Sequence, residues 1–244
     1  LSTSSLFAAA SPAETGLGAR TGGRIPDSME LIAETARDVG YRTFGYSENP
    51  YVTRYFGMAQ GFEVFDEVYP STNLRTGKEL PEDVDSAARM KALIEEATRD
   101  SDEPFFFYTH LLRPHNPYSP PAPYAGRFGS KPIHRAEGTT RALVALDRSK
   151  RPLDAAHVDR VVALYDENLA FADSLFAGLL SNLEEAGVLD NTVIVLTSDH
   201  GEGFGEHGRL LHSTQLFDPM LRVPLVIRVP GGSGGGKSRP IQRA

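Results

Sequence analysis

The chain has 244 residues, 40% of them hydrophobic and 23% charged, and a formal net charge of −7. This composition is typical of a globular domain, and the acidic balance argues against a protein that binds nucleic acid through a basic face. No apolar run approaches the ~20 residues of a membrane-spanning helix, and the absence of cysteine excludes disulfides and thiolate metal ligands.

The domain prediction follows from length and from the two ends. The length suits one α/β domain over residues 1–244. The chain starts at Leu1 without methionine and stops as a new segment begins, so we expect a piece of a longer protein, truncated at both termini. The sequence leaves the compartment open between cytoplasm and periplasm or exterior, and leaves the oligomeric state open.

The first quarter of the chain predicts two helices and a strand, since capping residues precede apolar periodicity and Gly40 ends the second helix. The three elements are a short helix from Leu6 capped by Ser4 or Ser5, a helix from Pro26 to Gly40 capped by Asp27 or Ser28, and a strand over residues 41–46.

The rest of the chain alternates helical and strand patterns, which is typical of an α/β sheet protein. Residues 104–110 are too apolar for a half-exposed strand, and residues 193–197 predict a buried strand. The other elements are a helix from Val84 to Thr98 with Ala87, Met90, Leu93, Ile94 and Ala97 on one face, a long helix from Asp154 to Gly187 with one stripe of Val158, Val162, Tyr165, Leu169, Ala172, Phe176, Leu179 and Leu183, and a strand over residues 221–229.

The strand over residues 193–197 ends directly in Ser198, Asp199, His200 and Gly201. Ligands of open α/β sheets bind at the carboxyl ends of strands. A carboxylate and an imidazole side by side, in a glycine-rich loop with further acidic residues and His212, suit a divalent cation. The alternative is a polar turn with Asp199 as a helix cap.

A second polar loop follows the strand over residues 104–110 and carries His115 between prolines. Prolines hold the backbone extended and stiff, so His115 is expected on a rigid loop beyond a strand end. If the strands are parallel, this is the edge where Asp199 lies. Residues 125–152 are basic and predict either an excursion that attracts anions to the site or a solvated insertion. Residues 231–240 predict a flexible glycine-rich segment.

Taken together, these motifs resemble the sulfatase branch of the alkaline-phosphatase superfamily along nearly the whole chain. The most specific are the Ser-Asp-His-Gly-Glu and Gly-Glu-His-Gly run and the Arg-Val-Pro-Leu strand in this order. The matching segments are Gly40–Thr43, Gly61–Asp66, Pro104–Tyr118, Asp190–Gly208 and Leu221–Leu225.

This resemblance implies a three-layer αβα sandwich with a mostly parallel central sheet. It also implies Asp199 and His200 as ligands of one divalent cation, calcium before magnesium, manganese or zinc. His115 would contact the anionic ester, and His212 the same group or a second metal. The implied activity is metal-dependent hydrolysis of sulfate esters, with an anionic ester as the partner of the site.

The chain departs from the family pattern at several positions. Ser2–Leu6 matches the tail of the nucleophile motif, with Leu1 in place of proline, so the nucleophile and the acidic metal ligands are expected upstream. Ala8-Ala9 replaces Thr-Gly, and Ser47 and Asn49 stand where many sulfatases have Lys and His. A nucleophile within the first hydroxyl residues is the alternative. We expect this piece alone to be inactive.

These departures leave other activities open. A phosphodiesterase, a phosphonate monoester hydrolase or a phosphoglycerol-type transferase of the same superfamily would use the same metal and histidines. A catalytically inactive sulfatase-like module that serves in binding is the alternative outside the enzymes. The residues upstream of Leu1 would distinguish the enzyme from the module, since only the enzyme requires a nucleophile there.

Overall fold

The computed structural model describes residues 2–15, 23–69, 84–99, 101–149, 152–212 and 216–231. These ranges contain the following helices and strands: α1 (Ser2–Ala8), α2 (Ile32–Asp38), β1 (Arg42–Ser47), β2 (Val64–Glu67), α3 (Ser86–Thr98), β3 (Phe105–His110), α4 (Thr140–Asp147), α5 (Ala155–Glu185), β4 (Ile194–Thr197), α6 (Asp218–Leu221) and β5 (Leu225–Arg228). Short 3₁₀ segments cover residues 54–56, 132–138, 189–191 and 206–208.

A parallel sheet with β1 in the middle, flanked by β2 and β3, forms the centre of the molecule. Successive side chains of a strand point to opposite faces. Phe44 and Tyr46 therefore share one face, where they are fully buried against α3 and α5. Phe7 of α1 packs with Phe65 on the other side of the sheet. Helices cover both faces, so the predicted α/β class with a parallel sheet is confirmed.

The predicted strand after Asn191 forms, but the expectation that it is buried is wrong. β4 pairs antiparallel with β5 in a separate sheet, with Val195 opposite Ile227. It is not buried, since Val195 is 59% exposed and Ile227 57%. Among the described residues β4 has no other strand neighbour. Its apolar composition indicates a strand that packs well inside a sheet, but does not determine which elements cover it.

β3 is not half exposed, as the sequence predicts, since none of its six residues is exposed. All six residues of Phe105–His110 are only partly buried, although four of them are aromatic. In the described part of the chain β3 pairs with β1 along one edge and has no strand on its other edge. An aromatic run indicates a strand suited to a sheet interior, but burial depends on what lies on both edges.

The first two helices begin at other residues than predicted. α1 starts at Ser2, four residues before Leu6. α2 starts only at Ile32, because residues 26–29 form a turn closed by the Met29 N–H and the Pro26 carbonyl. Its first turn is satisfied by Glu34, whose Oε2 accepts the Leu31 N–H at 3.0 Å, a contact that a carboxylate at this position commonly makes.

α3 and α5 have the predicted extents, but their buried faces differ from the predicted ones. In α3, Ala87 is exposed and Ser86 is buried instead. In α5, Leu179 and Leu183 are buried as expected, whereas Leu169 is 45% exposed. The residues of α5 that the structure buries are Val161, Leu164, Glu167, Asn168, Leu175, Leu179 and Leu183.

Two polar residues of α5 fasten the loops that follow β3. Glu167 is fully buried and accepts the N–H groups of Phe128 and Ser130 and the Ser130 hydroxyl. Burial alone would raise the pKa of Glu167, but these hydrogen bonds outweigh it and hold the pKa below its ordinary value. Asn168 donates to the Pro117 carbonyl oxygen at 3.2 Å.

Replacing Glu167 by glutamine is expected to destabilise the protein by about 2–4 kcal/mol, because the amide group removes the charge and turns a donor toward the loop N–H groups. Urea unfolding followed by circular dichroism measures the loss. Glu184→Gln is the matched control, since Glu184 is exposed on the same helix, and it should shift the midpoint little. An equal midpoint for both variants would contradict this account.

The described part of the basic region packs against the body through an apolar residue, while its basic side chains are exposed. This part holds a 3₁₀ segment and α4, and Leu143 of α4 is fully buried in a cluster with Leu164. Whether it is an insertion stays a prediction. The glycine-rich segment lies outside the described residues except for Gly231. No helix among the described residues is long and apolar enough to cross a membrane.

Candidate functional site

The loop that follows β4 places Asp199 and His200 side by side. Asp199 Oδ1 lies 3.7 Å from His200 Nε2, and both side chains are mostly buried. Asp199 Oδ2 also lies 3.4 Å from the Thr3 hydroxyl of α1. The first helix of the chain therefore reaches this carboxylate, a contact that the sequence did not predict.

Gly201 anchors this loop to α6. The Gly201 N–H donates to the Met220 carbonyl oxygen at 2.9 Å, and a Cβ at position 201 would overlap the Pro219 carbonyl oxygen. Only glycine permits such a close backbone approach. The glycine of the Asp-His-Gly motif thus fixes the direction in which Asp199 and His200 project.

The two other predicted residues, His115 and His212, join the same cluster from different loops. The His212 ring stacks on the His200 ring with centroids 4.0 Å apart, and the His115 ring lies 5.0 Å from the His212 ring. The structure therefore brings Asp199, His200, His212 and His115 together. Their chemical roles remain predictions.

Each of the three clustered histidines has its Nδ1 next to an oxygen acceptor. Nδ1 lies 2.9 Å from the Gly201 carbonyl oxygen in His200, 2.7 Å from the Asn116 carbonyl oxygen in His115 and 3.0 Å from Glu202 Oε1 in His212. An N–H on Nδ1 donates to each acceptor, which leaves Nε2 of each neutral ring with a lone pair. Histidines that bind metals or move protons are oriented in this way.

Glu202 is the partner of His212 and was expected only as one of several acidic residues in the loop. Its side chain is 7% exposed, and its Oε2 accepts the Tyr118 hydroxyl at 3.0 Å. Two further polar residues of that loop, Glu206 and His207, do not join the cluster. Glu206 accepts the Phe204 N–H, and His207 is exposed and stacks on Phe217.

His110, the last residue of β3, lies behind the cluster and was not predicted as part of it. Asn49 Oδ1 accepts the Tyr51 N–H, which directs the Asn49 amide nitrogen to His110 Nε2 at 3.1 Å. Nε2 therefore accepts, and Nδ1–H donates to the Tyr108 hydroxyl oxygen at 2.7 Å. Burial lowers the pKa of His110 despite the nearby carboxylate of Asp199, so His110 is held neutral.

His115 is also held toward its neutral form. Burial, with a smaller contribution from His212, lowers its pKa, and the hydrogen bond to the Asn116 carbonyl partly offsets this effect. A neutral imidazole can accept a proton or bind a cation, whereas a charged one can only donate. The site thus combines carboxylate oxygens with imidazole nitrogen atoms.

The donor set around Asp199 is chemically suited to a divalent cation but incomplete. A carboxylate oxygen and an imidazole Nε2 are acceptable ligands for calcium, magnesium, manganese and zinc. Within the described ranges, no group of three or more His, Asp or Glu side chains is arranged to hold a metal. Asp199 and His200 therefore fit as part of a ligand set that other donors would complete.

Comparisons with known proteins identify the family to which the chain belongs. A family model described as Sulfatase matches residues 1–242. The chain is 28% identical over 232 residues to the multifunctional alkaline phosphatase superfamily protein PehA of Trinickia caryophylli, which covers 79% of this chain and 44% of that protein. It is 25% identical over 230 residues to arylsulfatase K of Bos taurus, with 79% and 42% covered. The chain thus spans less than half the length of these relatives.

Among solved structures, the fold is similar to that of a phosphonate monoester hydrolase of Agrobacterium radiobacter. The TM-score is 0.65 at 22% sequence identity, and the match covers 94% of this chain and 58% of the other. At this identity the likeness concerns the fold alone.

Proposed function

This chain belongs to the sulfatase family, and from that membership we propose that the complete protein is a metal-dependent hydrolase of sulfate esters. The observation that carries the proposal is the convergence of Asp199, His200 and His212, which follow β4, with His115 from the loop after β3. A polar turn that serves only a structural role does not require a carboxylate and three imidazoles at one place. Ester hydrolysis needs a held cation, charge stabilisation and proton transfer.

Asp199 and His200 would hold the cation, since Asp199 Oδ1 and His200 Nε2 lie 3.7 Å apart and both atoms can bind a metal. A bound cation supplies charge stabilisation at the nonbridging oxygens and lowers the pKa of a coordinated hydroxyl. Calcium is our first choice and magnesium, manganese or zinc the alternatives. The Gly201 carbonyl orients the His200 ring and fixes its tautomer, as partners of metal-binding histidines usually do.

His115 and His212 would act on the ester. Each presents Nε2 to the cluster, because Nδ1 is held by the Asn116 carbonyl or by Glu202. From this position Nε2 can bind a nonbridging oxygen as N–H or transfer a proton to the leaving oxygen. Glu202 positions His212 and stabilises the imidazolium that forms when the ring takes up a proton.

Phosphonate monoesters are the second candidate substrates, and residues after β1 favour them. Where many sulfatases have two cationic side chains, Ser47 is buried and accepts the Asn49 N–H, and Asn49 binds His110. Neither side chain carries charge to a substrate oxygen. A phosphonate monoester hydrolase is among the solved structures with this fold.

The complete protein should therefore be assayed on paired 4-nitrophenyl esters after removal and return of metal. We expect turnover of 4-nitrophenyl sulfate that chelation abolishes and one of calcium, magnesium, manganese or zinc restores. Faster turnover of a phosphonate monoester or a phosphate diester would select the second candidate. Tight binding of esters without turnover by any metal form would identify an inactive binding module, and absence of both would sink the proposal.

A further inference from the structure

Arg113 is a mostly buried cation on the loop between β3 and His115. Its NH1 group donates to the Ser119 carbonyl oxygen at 3.2 Å and to Asn168 Oδ1 at 3.0 Å. Its guanidinium carbon lies 5.1 Å from the centre of the Phe171 ring. The Nε and NH2 groups donate to no described residue, so part of the guanidinium fork is available.

No carboxylate among the described residues forms an ion pair with Arg113. The charge of Glu48 acts on it at longer range, but the Glu48 oxygens already accept the Tyr46 and Ser86 hydroxyls and the Leu112 N–H. A buried charge without a partner is costly. An anion from outside would supply the missing partner.

Arg135 lies across a cleft from Arg113. The two arginines line a cleft of about 220 Å³ together with Ser119, Pro120 and Pro121. Arg135 is exposed and forms no ion pair with the described residues. Two guanidinium groups that share one small cleft repel each other, and each offers the planar donor fork that matches carboxylate, sulfate and phosphate oxygens.

The two walls of this cleft are fixed relative to one another. The Tyr118 N–H donates to the Gly138 carbonyl oxygen at 2.8 Å, and a Cβ at Gly138 would overlap the Tyr118 carbonyl oxygen. The 3₁₀ segment of residues 132–138 is thus held directly against the proline-rich loop. The backbone on both sides of the cleft is therefore already in place when an anion binds, which lowers the entropic cost of binding.

The cleft lies next to the histidine cluster. Arg113 and His115 are separated by one residue, so their Cα atoms are at most about 7.6 Å apart, since consecutive Cα atoms are 3.8 Å apart. The His115 N–H closes a turn onto the Leu112 carbonyl, which keeps both side chains on one short loop. A molecule bound at His115 therefore has a cationic cleft within reach.

We propose that the cleft between Arg113 and Arg135 binds a second anionic group of the substrate, a carboxylate, sulfate or phosphate carried beside the ester that is cleaved. This proposal rests on the proposed function for the position of the ester at His115 and His212. It adds a substrate class, namely esters with two anionic groups. Anionic esters of an uncharged aryl group would bind at the histidines alone.

The test uses non-hydrolysable probes with the complete protein in calorimetric titrations. Benzenesulfonate carries one anionic group, and 3- and 4-sulfobenzoate carry an added carboxylate. We expect the better sulfobenzoate to bind about tenfold more tightly than benzenesulfonate, in line with one charge-assisted hydrogen-bonded pair. Arg135→Gln should remove this preference, and Arg135→Lys should retain part of it.

Arg141→Gln is the matched control, since Arg141 is exposed on α4, outside the cleft, and carries the same charge. It should keep the full preference. Equal binding of all three probes, no binding of any of them, or an unchanged preference in Arg135→Gln would overturn the proposal. A preference that Arg135→Gln abolishes, in a protein that cleaves no ester, would refute the proposed function and leave the anion site standing.

Discussion

Replacing Asp199 by alanine in the complete protein is expected to lower kcat/KM for its ester substrate by about 10³-fold or more, because loss of a cation's charge stabilisation is worth several kcal/mol. Asp199 is the carboxylate next to His200, whose Nε2 lies 3.7 Å from Asp199 Oδ1. Without this carboxylate, the remaining ligands would hold a divalent cation more weakly, because a hard anionic donor is lost. Metal analysis after gel filtration should show the loss of bound metal directly.

Asp190→Ala is the matched control for this variant. Asp190 precedes β4 and is fully exposed in its ion pair with Arg228, so its loss should leave both metal content and turnover unchanged. His200→Ala should resemble Asp199→Ala in metal content. Undiminished metal in both site variants would remove Asp199 and His200 from the ligand set, whatever happened to the rate.

His212→Gln is expected to lower kcat by about 10²–10³-fold, the usual contribution of a positioned acid or base. The substitution of its partner should have a smaller effect. Glu202→Gln should lower kcat by about 10-fold to 100-fold, as expected for a residue that orients a ligand or catalyst. The reason is that the Glu202 carboxylate holds Nδ1–H of His212 at 3.0 Å and keeps Nε2 facing the cluster.

The double variant separates positioning from simple destabilisation. If Glu202 acts through His212, the combined loss should be close to that of His212→Gln alone, because residues that act as a unit are not additive. His207→Gln and Glu206→Gln are matched controls on the exposed part of the same loop. Additive losses in kcat, or equal losses in the controls, would show that the pair does not work as proposed.

Much of the site was predictable because its residues follow strand ends in recognisable motifs. Asp199, His200 and His212 lie close together in sequence, and His115 was marked by its proline-bound loop after β3. The partners of these residues were less predictable. Thr3 touches Asp199 from 196 positions away, and Tyr118 reaches Glu202 across 84 positions, distances over which spacing carries no information about contact.

The sequence by itself determined the approximate extents of α3, α5, β1, β3 and β4 and supplied the candidate site residues, because periodicity and capping act within a few residues. Only the tertiary structure decided burial and pairing, since these depend on neighbours distant in sequence. The apolar run of β4 pairs antiparallel with β5 and stays exposed. Glu167, a charged residue on a helix, is buried because loop donors converge on it. The local sequence pattern determines whether a segment forms a helix or a strand, and the neighbouring elements determine which of its side chains are buried.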